Sequence, residues 1–227
     1  MPLALAHRGD WSTSPENTLA AFEAAERAGA DMVELDVRRT ADGEVAVIHD
    51  RTCERVWGSP LRAATATIAE LRELRVAGHG IPTLAEVLET VALPVMVDYT
   101  LADVVEPALE VVESAGALDR VVFSGGNVEG HLRIRSLAPR ARIALTWSEH
   151  QPPHRALLDA LEPEFFNPGW ELGIEQFVDA MHDRGLKVST WTIDDEVEMR
   201  RAIELGVDAV ISNRIETLVA LLAEARC

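Results

Sequence analysis

The sequence predicts one α/β domain folded as a TIM (β/α)8 barrel. Two observations lead to this fold class: short apolar runs alternate with amphipathic stretches in units of about 25 residues, and eight such units fit within the 227 residues. A hydrophobic fraction of 48% is ample for one large core. Because no linker or low-complexity tract interrupts the pattern, we expect one domain, residues 1–227, with an irregular insertion at about 51–80.

The first strand and helix are predicted from the beginning of the chain. An apolar run, Leu3 to Ala6, predicts the strand, and His7-Arg8-Gly9 begins the loop after it. Ser14-Pro15-Glu16 has the composition of a helix start, with a candidate N-cap, a proline in the first turn and an acid near the positive end of the helix dipole. The helix should end near Gly29, and its apolar stripe is Leu19, Phe22, Ala25 and Ala28.

The second predicted strand, Asp31 to Val37, carries two acids on one face. Side chains alternate along a strand, so Glu34 and Asp36 point to the same side. Ala41-Asp42-Gly43 is typical of a hairpin turn, and Glu44 to Ile48 would be its returning arm. That arm would bring the residues after it back to the end of the second strand.

The rest of the chain predicts six further strand and helix pairs. A helix is expected at Ile68 to Val76 within the irregular insertion, and another begins near Leu84. An open, doubly wound sheet is the rival architecture, but its dinucleotide-binding form needs a glycine-rich turn after the first strand, and His7-Arg8-Gly9-Asp10 is not GxGxxG. The six predicted strands are Val95–Tyr99, Arg120–Ser124, Arg142–Trp147, Phe165–Asn167, Leu186–Trp191 and Val207–Ser212.

Composition and charge exclude several classes of function. The formal net charge of −17 argues against a nucleic-acid partner, because phosphate backbones are bound by clustered Lys and Arg and no such cluster is present. The two cysteines, Cys53 and Cys227, are too few for a disulfide framework or a zinc site and are expected to be free thiols. No leader-like segment or apolar run of about 18 residues is present, so we expect a cytoplasmic protein without stable membrane insertion. The oligomeric state stays open.

Three acids at predicted strand ends point to a metal site. In a TIM barrel the carboxyl ends of the strands surround the functional site, which brings Glu34 and Asp36 together in the mouth. Two like charges about 5 Å apart repel by roughly 3 kcal/mol at an effective dielectric constant of about 20, and a divalent cation offsets this repulsion economically. Oxygen ligands suit Mg²⁺ or Ca²⁺, with Asp98 of the third strand as a third ligand. The alternative is that the acids pair with Arg8, Arg38 or Arg39.

Two histidines flank this acidic pair. Imidazole has an ordinary pKa near ~6.5, so His7 and His49 can accept and donate protons at neutral pH, although a single histidine at a strand end is more often structural. Arg8 would bind a phosphate or hold a loop carboxylate, and Trp191 would line the substrate pocket or pack in the core. The remaining histidines are expected on the surface: His79, His131, His150, His154 and His182.

Several linked motifs resemble those of the glycerophosphodiester phosphodiesterase family: HRG at 7–9, PENT at 15–18, ELDV at 34–37, DG at 42–43, HD at 49–50, IPTL at 81–84 and WT at 191–192. The resemblance covers nearly the whole chain. It implies a TIM barrel that hydrolyses small-molecule glycerophosphodiesters to glycerol 3-phosphate and an alcohol, with Mg²⁺ or Ca²⁺ as cofactor. Matched by motif, the resemblance implies that His7 and His49 are the acid–base pair and that Arg8 contacts the phosphate. It also implies three metal ligands, which are Glu34, Asp36 and Asp98.

The chain also departs from that family's pattern. Where the family usually has Glu-x-Lys at the end of the third strand, this chain has Asp98-Tyr99-Thr100, and related phospholipase D toxins resemble it in using Asp there. Asp is shorter than Glu by roughly 1.5 Å, and loss of one preorganised donor typically costs ~3 kcal/mol in the transition state. Phe123-Ser124-Gly125, Asp194 and Ser212-Asn213 differ as well, and Arg214 is a candidate to replace the lost positive charge.

These departures leave two alternatives beside the hydrolase. One is a catalytically weakened barrel that still binds phosphate ligands, and the other is a phospholipase D-like activity on lysophospholipids. The identity of the attacking oxygen is open too, because either water or the glycerol hydroxyl of the substrate could attack, and the hydroxyl would give a cyclic phosphate first.

Overall fold

The structure, a computed structural model, describes residues 1–225 and contains nine strands within them. Eight strands, all except the third, are parallel neighbours in the order β1-β9-β8-β7-β6-β5-β4-β2, and β2 pairs again with β1 to close the barrel. The predicted TIM barrel is confirmed. In chain order the strands are β1 Leu3–His7, β2 Met32–Arg39, β3 Val45–Val47, β4 Val95–Asp98, β5 Val121–Gly125, β6 Arg142–Trp147, β7 Phe165–Pro168, β8 Lys187–Thr190 and β9 Ala209–Ser212.

Ten α-helices lie in the same described part of the chain and form the outer layer. Local sequence explains where several of them begin: Thr67 and Thr83 form capping boxes with Glu70 and Glu86 at the starts of the third and fourth helices. The helices are α1 Leu19–Arg27, α2 Glu54–Trp57, α3 Ile68–Arg72, α4 Leu84–Thr90, α5 Val105–Ser114, α6 Val128–Leu137, α7 Arg155–Leu161, α8 Glu175–His182, α9 Glu196–Glu204 and α10 Ile215–Glu224.

The first helix begins later than predicted. Its N-cap is Thr18, whose hydroxyl accepts a hydrogen bond from the Ala21 amide at 3.3 Å. Asn17 has a φ of 58°, a left-handed conformation that a helix cannot contain, and its side-chain amide donates to Asp36 at 2.8 Å. The prediction of a helix start at Ser14-Pro15-Glu16 was therefore wrong, because these residues form a turn that is bound to β2.

The hydrophobic core has two layers that together define the mouth of the barrel. The larger layer lies between the strands and the surrounding helices. The smaller layer fills the barrel interior and closes it below the carboxyl ends of the strands, so that the side chains above it surround an open mouth. The interior residues are Leu5, Met32, Met96, Val122, Ala144, Phe165, Ala209 and Ile211.

The predicted hairpin and the irregular insertion are both present. β3 runs antiparallel to β2, with Val37 opposite Val47. Residues 51–80, called segment 51–80 below, contain α2, a 3₁₀ turn and α3, which ends before the predicted Val76 because that residue pairs with His79 in a tight bridge. The segment has a small hydrophobic core of its own, formed by Ala46, Ile48, Cys53, Trp57, Ala63, Ala66, Leu71 and Ile81.

Three further expectations have separate outcomes. Cys53 is a buried free thiol, as predicted, whereas Cys227 lies outside the described residues. The predicted domain bounds, 1–227, also extend past those residues and stay a prediction. Among residues 1–225, none of the helices has both the length and the apolar character that a membrane crossing requires.

Candidate active site

The carboxyl ends of the strands surround a cavity of about 430 Å³. The hydrophobic interior layer closes it from below, and the loops after the strands form its rim. The structure brings together all seven predicted site residues on its wall, although the roles predicted for them stay predictions. These residues are His7, Arg8, Glu34, Asp36, His49, Asp98 and Trp191.

The three acids lie side by side on two neighbouring strands. Asp36 of β2 is directly opposite Asp98 of β4, and Glu34 lies two residues earlier on the same face of β2. Burial raises the pKa of Glu34 well above its ordinary range, and the charges of Asp36 and Asp98 raise it further. Burial, followed by the charge of Asp36, raises the pKa of Asp98 to about 6. This part of the wall therefore favours a bound positive charge.

Arg8 supplies some of that charge. Its Nε lies 3.1 Å from Oδ2 of Asp36, its Nη1 donates to Oε1 of Glu16 at 3.0 Å, and its backbone amide donates to Oε2 of Glu34 at 3.1 Å. Arg38 instead donates through Nε to the carbonyl of His49 at 2.7 Å. One of the three acids, Asp36, therefore forms an ion pair with an arginine, as the alternative interpretation expected. Within residues 1–225, no Lys or Arg side chain forms an ion pair with Glu34 or Asp98.

The ring of His7 is held by an amide. Nδ1 of His7 lies 2.7 Å from Oδ1 of Asn213, whose Nδ2 donates to Oδ2 of Asp194 at 2.7 Å. A carboxylate only accepts hydrogen bonds, so Asn213 turns its NH₂ toward Asp194 and its oxygen toward His7. His7 therefore carries its proton on Nδ1, and the lone pair of Nε2 is on the side of Glu34, 3.9 Å away. Burial and the charge of Arg8 lower the pKa of His7, which suits a proton acceptor.

His49 is held by a carboxylate instead. Its Nδ1 lies 2.7 Å from Oδ1 of Asp50, and because the carboxylate only accepts, the ring donates from Nδ1. Burial acts to raise the pKa of Asp50, but hydrogen bonds from Arg55 and His49 outweigh it and lower that pKa. An ionised partner stabilises imidazolium, so His49 is better suited than His7 to donate a proton.

A chain of hydrogen bonds crosses the opposite wall of the cavity. Ser189 donates to Oδ1 of Asn167 at 2.8 Å, Nδ2 of Asn167 donates to the Thr146 hydroxyl at 3.1 Å, and Thr146 lies 3.2 Å from the Ser124 hydroxyl. Either hydroxyl of the Thr146 and Ser124 pair can be the donor, and a hydrogen bond from Ser124 acts to lower the pKa of Asp98 against the effect of burial. We did not identify Thr146 or Asn167 from the sequence, although both follow inward-facing apolar residues by two positions.

Comparison with known proteins decides the family. Residues 7–217 match the model of the glycerophosphoryl diester phosphodiesterase family. The chain belongs to this family. It is also 34% identical to a glycerophosphodiester phosphodiesterase from Caldanaerobacter subterraneus subsp. tengcongensis, over 97% of this chain and 97% of that protein. The resemblance seen in the motifs is confirmed, and with it the predicted enzyme class of glycerophosphodiester phosphodiesterase.

Solved structures have the same barrel fold. A phosphodiesterase from Oleispira antarctica, in complex with the product sn-glycerol-3-phosphate, has a TM-score of 0.92 and 24% identity, covering 98% of this chain and 97% of its own. A glycerophosphodiester phosphodiesterase from Thermotoga maritima has a TM-score of 0.85 and 26% identity, covering 97% of this chain and 98% of its own. The architecture predicted from the sequence is that of the glycerophosphodiester phosphodiesterase structures.

The usual family lysine has no obvious replacement in the cavity. Thr100 lines the rim at that position, and Arg8 is the one Lys or Arg side chain among the residues described on the cavity wall. Arg214 does not line the cavity: its Nη1 donates to the carbonyl of Asp194 at 3.3 Å, and its Nη2 lies 4.0 Å from Glu196. The suggestion that Arg214 replaces the lost charge is therefore wrong, since its own neighbours already bind its guanidinium.

The donor chemistry of the three acids fits a hard divalent cation. Carboxylate oxygens are the ligands that Mg²⁺ and Ca²⁺ prefer, and a cation beside Glu34 and Asp98 would stabilise the ionised carboxylates, whose pKa values are raised by burial and by neighbouring negative charge. As the side chains stand, no three His, Cys, Asp or Glu residues in the described part of the chain could hold a metal ion together. Binding an ion would thus require Glu34, Asp36 and Asp98 to turn toward a common point.

His131 was expected on the surface and is instead fully buried. Nδ1 accepts a hydrogen bond from the Tyr99 hydroxyl at 2.7 Å, and Nε2 donates to the carbonyl of Gly125 at 2.7 Å. The expectation was wrong because His131 lies on the buried face of α6, beside Ile134. The ring joins the residue after β4 to the last residue of β5, on the outer side of the barrel where α6 packs. Of the other four histidines, three are exposed as predicted and His79 is half-buried.

Proposed function

We propose that this family member hydrolyses glycerophosphodiesters to glycerol 3-phosphate and an alcohol in a metal-dependent reaction, with His7 and His49 as the acid–base pair. The observation that carries the proposal is the different partner of each imidazole. His7 is bonded to a neutral amide and has a lowered pKa, whereas His49 is bonded to an ionised carboxylate. Pairs of titratable groups whose surroundings favour opposite protonation states are typical of acid–base catalysis.

The chain's own residues can perform each proton transfer. Nε2 of His7 would accept the proton of the attacking hydroxyl as its oxygen bonds to phosphorus, and the imidazolium of His49 would give its Nε2 proton to the alkoxide that leaves. Arg8, on the same cavity wall, would contact a phosphoryl oxygen. Glu34, Asp36 and Asp98 would hold the Mg²⁺ or Ca²⁺ ion, which when bound supplies positive charge to the phosphoryl oxygens.

The small-molecule partner is supported by the size of the cavity and by a relative. A volume of about 430 Å³ suits a small phosphodiester. The Oleispira antarctica phosphodiesterase has sn-glycerol-3-phosphate as its product, which is the product proposed here. The expected absence of a nucleic-acid partner and the expected cytoplasmic location stay predictions, and the alcohol of the substrate and the oligomeric state stay open.

A catalytically weakened phosphate-binding barrel is the second candidate. Thr100 in place of a lysine favours it, because one fewer cationic donor faces the developing charge. The phospholipase D-like activity on lysophospholipids is supported by the acid at Asp98 alone, which those toxins share.

Product analysis tests these candidates together. We expect the wild type to release glycerol 3-phosphate from glycerophosphocholine and glycerophosphoethanolamine, and EDTA to abolish this release. Replacement of His7→Ala or His49→Ala should lower kcat by roughly 10²- to 10⁴-fold, and His150→Ala, an exposed histidine outside the cavity, should leave it unchanged.

Four results would contradict the proposal. Unchanged turnover in either histidine variant would remove that residue from the reaction, and unchanged turnover in EDTA would remove the metal. Tight binding of glycerol 3-phosphate by calorimetry without any turnover would favour the weakened barrel. ³¹P NMR separates glycerol 3-phosphate from a cyclic phosphate, and a cyclic product from lysophosphatidylcholine would favour the phospholipase D-like activity.

A further inference from the structure

Arg55 reaches from segment 51–80 to two carboxylates beside the cavity. Its Nη1 and Nη2 donate to the two oxygens of Glu16 at 2.8 Å and 2.7 Å, and its Nε donates to Oδ2 of Asp50 at 2.7 Å. All three nitrogens of one planar guanidinium are thus engaged at once, and the two bonds to Glu16 have the bidentate geometry that arginine forms and lysine cannot.

Each of those carboxylates holds a residue of the proposed reaction. Glu16 accepts from Nη1 of Arg8 at 3.0 Å, and Asp50 accepts from Nδ1 of His49 at 2.7 Å. Arg8 follows β1, whereas His49 follows the hairpin arm β3, so these two residues come from separate loops. The guanidinium of Arg55 is therefore the bridge between the loop of Arg8 and the loop of His49.

The charges in this cluster support the bridge. Burial acts to raise the pKa of Glu16, but the hydrogen bonds and charges of Arg55 and Arg8 outweigh it and lower that pKa. The pKa of Asp50 is lowered in the same way, and the two carboxylates raise the pKa of Arg55 in return. Both acids thus stay ionised at neutral pH, as acceptors for Arg8 and His49.

We propose that Arg55 is a positioning residue for the reaction, which ties Arg8 and His49 into one rigid unit through Glu16 and Asp50. This proposal rests on the proposed function, in which Arg8 binds the phosphate and His49 donates the proton. It also gives segment 51–80 a role, because the small core around Trp57 anchors α2, the helix that carries Arg55.

A contribution of Arg55 to stability alone does not explain this arrangement. Its side chain is 50% exposed, but its bidentate partner Glu16 is only 9% exposed, so the pair contributes to folding as well and activity must be compared among variants that are folded. Residues that orient reactive groups have larger effects, on the order of 10- to 100-fold in activity when removed. Arg72 offers a matched control in the same segment: its side chain is 47% exposed and donates to Glu86 at 2.7 Å, away from the cavity.

The test compares Arg55→Ala and Arg55→Lys with Arg72→Ala. We expect Arg55→Ala to lower kcat/KM by on the order of 10- to 100-fold, through both a lower kcat and a higher KM, because His49 and Arg8 both lose their support. The kcat/KM of Arg55→Lys should lie between those of Arg55→Ala and the wild type, because lysine keeps the positive charge but cannot form the bidentate hydrogen bonds. The kcat/KM of Arg72→Ala should stay within about twofold of the wild-type value. Thermal melting checks that all variants fold.

A second measurement does not depend on turnover. The Cε1 proton of His49, assigned by its loss in His49→Asn, is titrated by NMR in the same variants. The charged groups that face His49 are Asp50 and Arg55, Arg38 of β2 and Asp98 of β4. Arg55→Ala removes the cation that neutralises Asp50, so the midpoint of His49 should move to higher pH, whereas Arg72→Ala should leave it unchanged.

Two results would overturn the role of Arg55. One is a kcat/KM of folded Arg55→Ala within about twofold of the wild type, and the other is a His49 midpoint that does not move in Arg55→Ala. Failure of the proposed function is distinct, because a wild type without turnover would contradict that function, while the His49 titration would still decide whether Arg55 acts through Asp50.

Discussion

Protonation of His131 is expected to destabilise the fold at low pH. The ring is fully buried, and burial lowers its pKa from 6.5 to about 4. Between these two values the unfolded chain binds a proton at this residue and the folded chain does not, so the free energy of unfolding falls as the pH drops from about 6.5 to about 4. Linkage gives a loss of about 2 to 3 kcal/mol between pH ~7.5 and pH ~4.5.

Urea denaturation of the wild type and of His131→Gln over this pH range measures the effect, because the two proteins share every other titrating group. At neutral pH we expect the wild type to be more stable, since glutamine cannot reach both Tyr99 and Gly125 with the geometry of the ring. Near pH ~4.5 that advantage should be smaller by about 2 to 3 kcal/mol. Plots of unfolding free energy against pH that stay parallel would contradict this expectation, because His131 would then titrate alike in the folded and unfolded states.

Two further predictions concern the cavity. Asn213→Leu removes the acceptor that holds Nδ1 of His7, so kcat should fall on the order of 10- to 100-fold; steady-state kinetics that match the wild type would show that His7 needs no such support. Thr100→Lys restores a cationic donor at the rim, so kcat/KM for glycerophosphocholine should rise by about tenfold or more, and Thr100→Glu should lower it. Equal kinetics of the lysine and glutamate variants would mean that this position does not face the phosphate.

The barrel and the face on which the acids lie follow from the pattern of residues along the chain. Side chains of a strand alternate with a period of two, so a run such as Asp31 to Val37 assigns Glu34 and Asp36 to one side without any knowledge of the neighbours. The carboxyl ends of parallel strands also meet at one edge, so polar residues that follow apolar runs, such as His7 and Asp98, necessarily gather there. These rules are local, and therefore the chain could be interpreted one unit at a time.

The hydrogen-bond partner of each side chain depends instead on how distant segments pack together. His7 and Asn213 are 206 residues apart, and nothing in the pattern around either residue names the other. The same holds for Arg55, whose bridge depends on how segment 51–80 packs, and for His131, whose helix could have faced either way. Asn17 delays the start of the first helix because its amide binds a strand, a contact that outweighs local helix preference. Pattern assigns a residue to a face, whereas packing of distant segments selects its hydrogen-bond partner and so its protonation state.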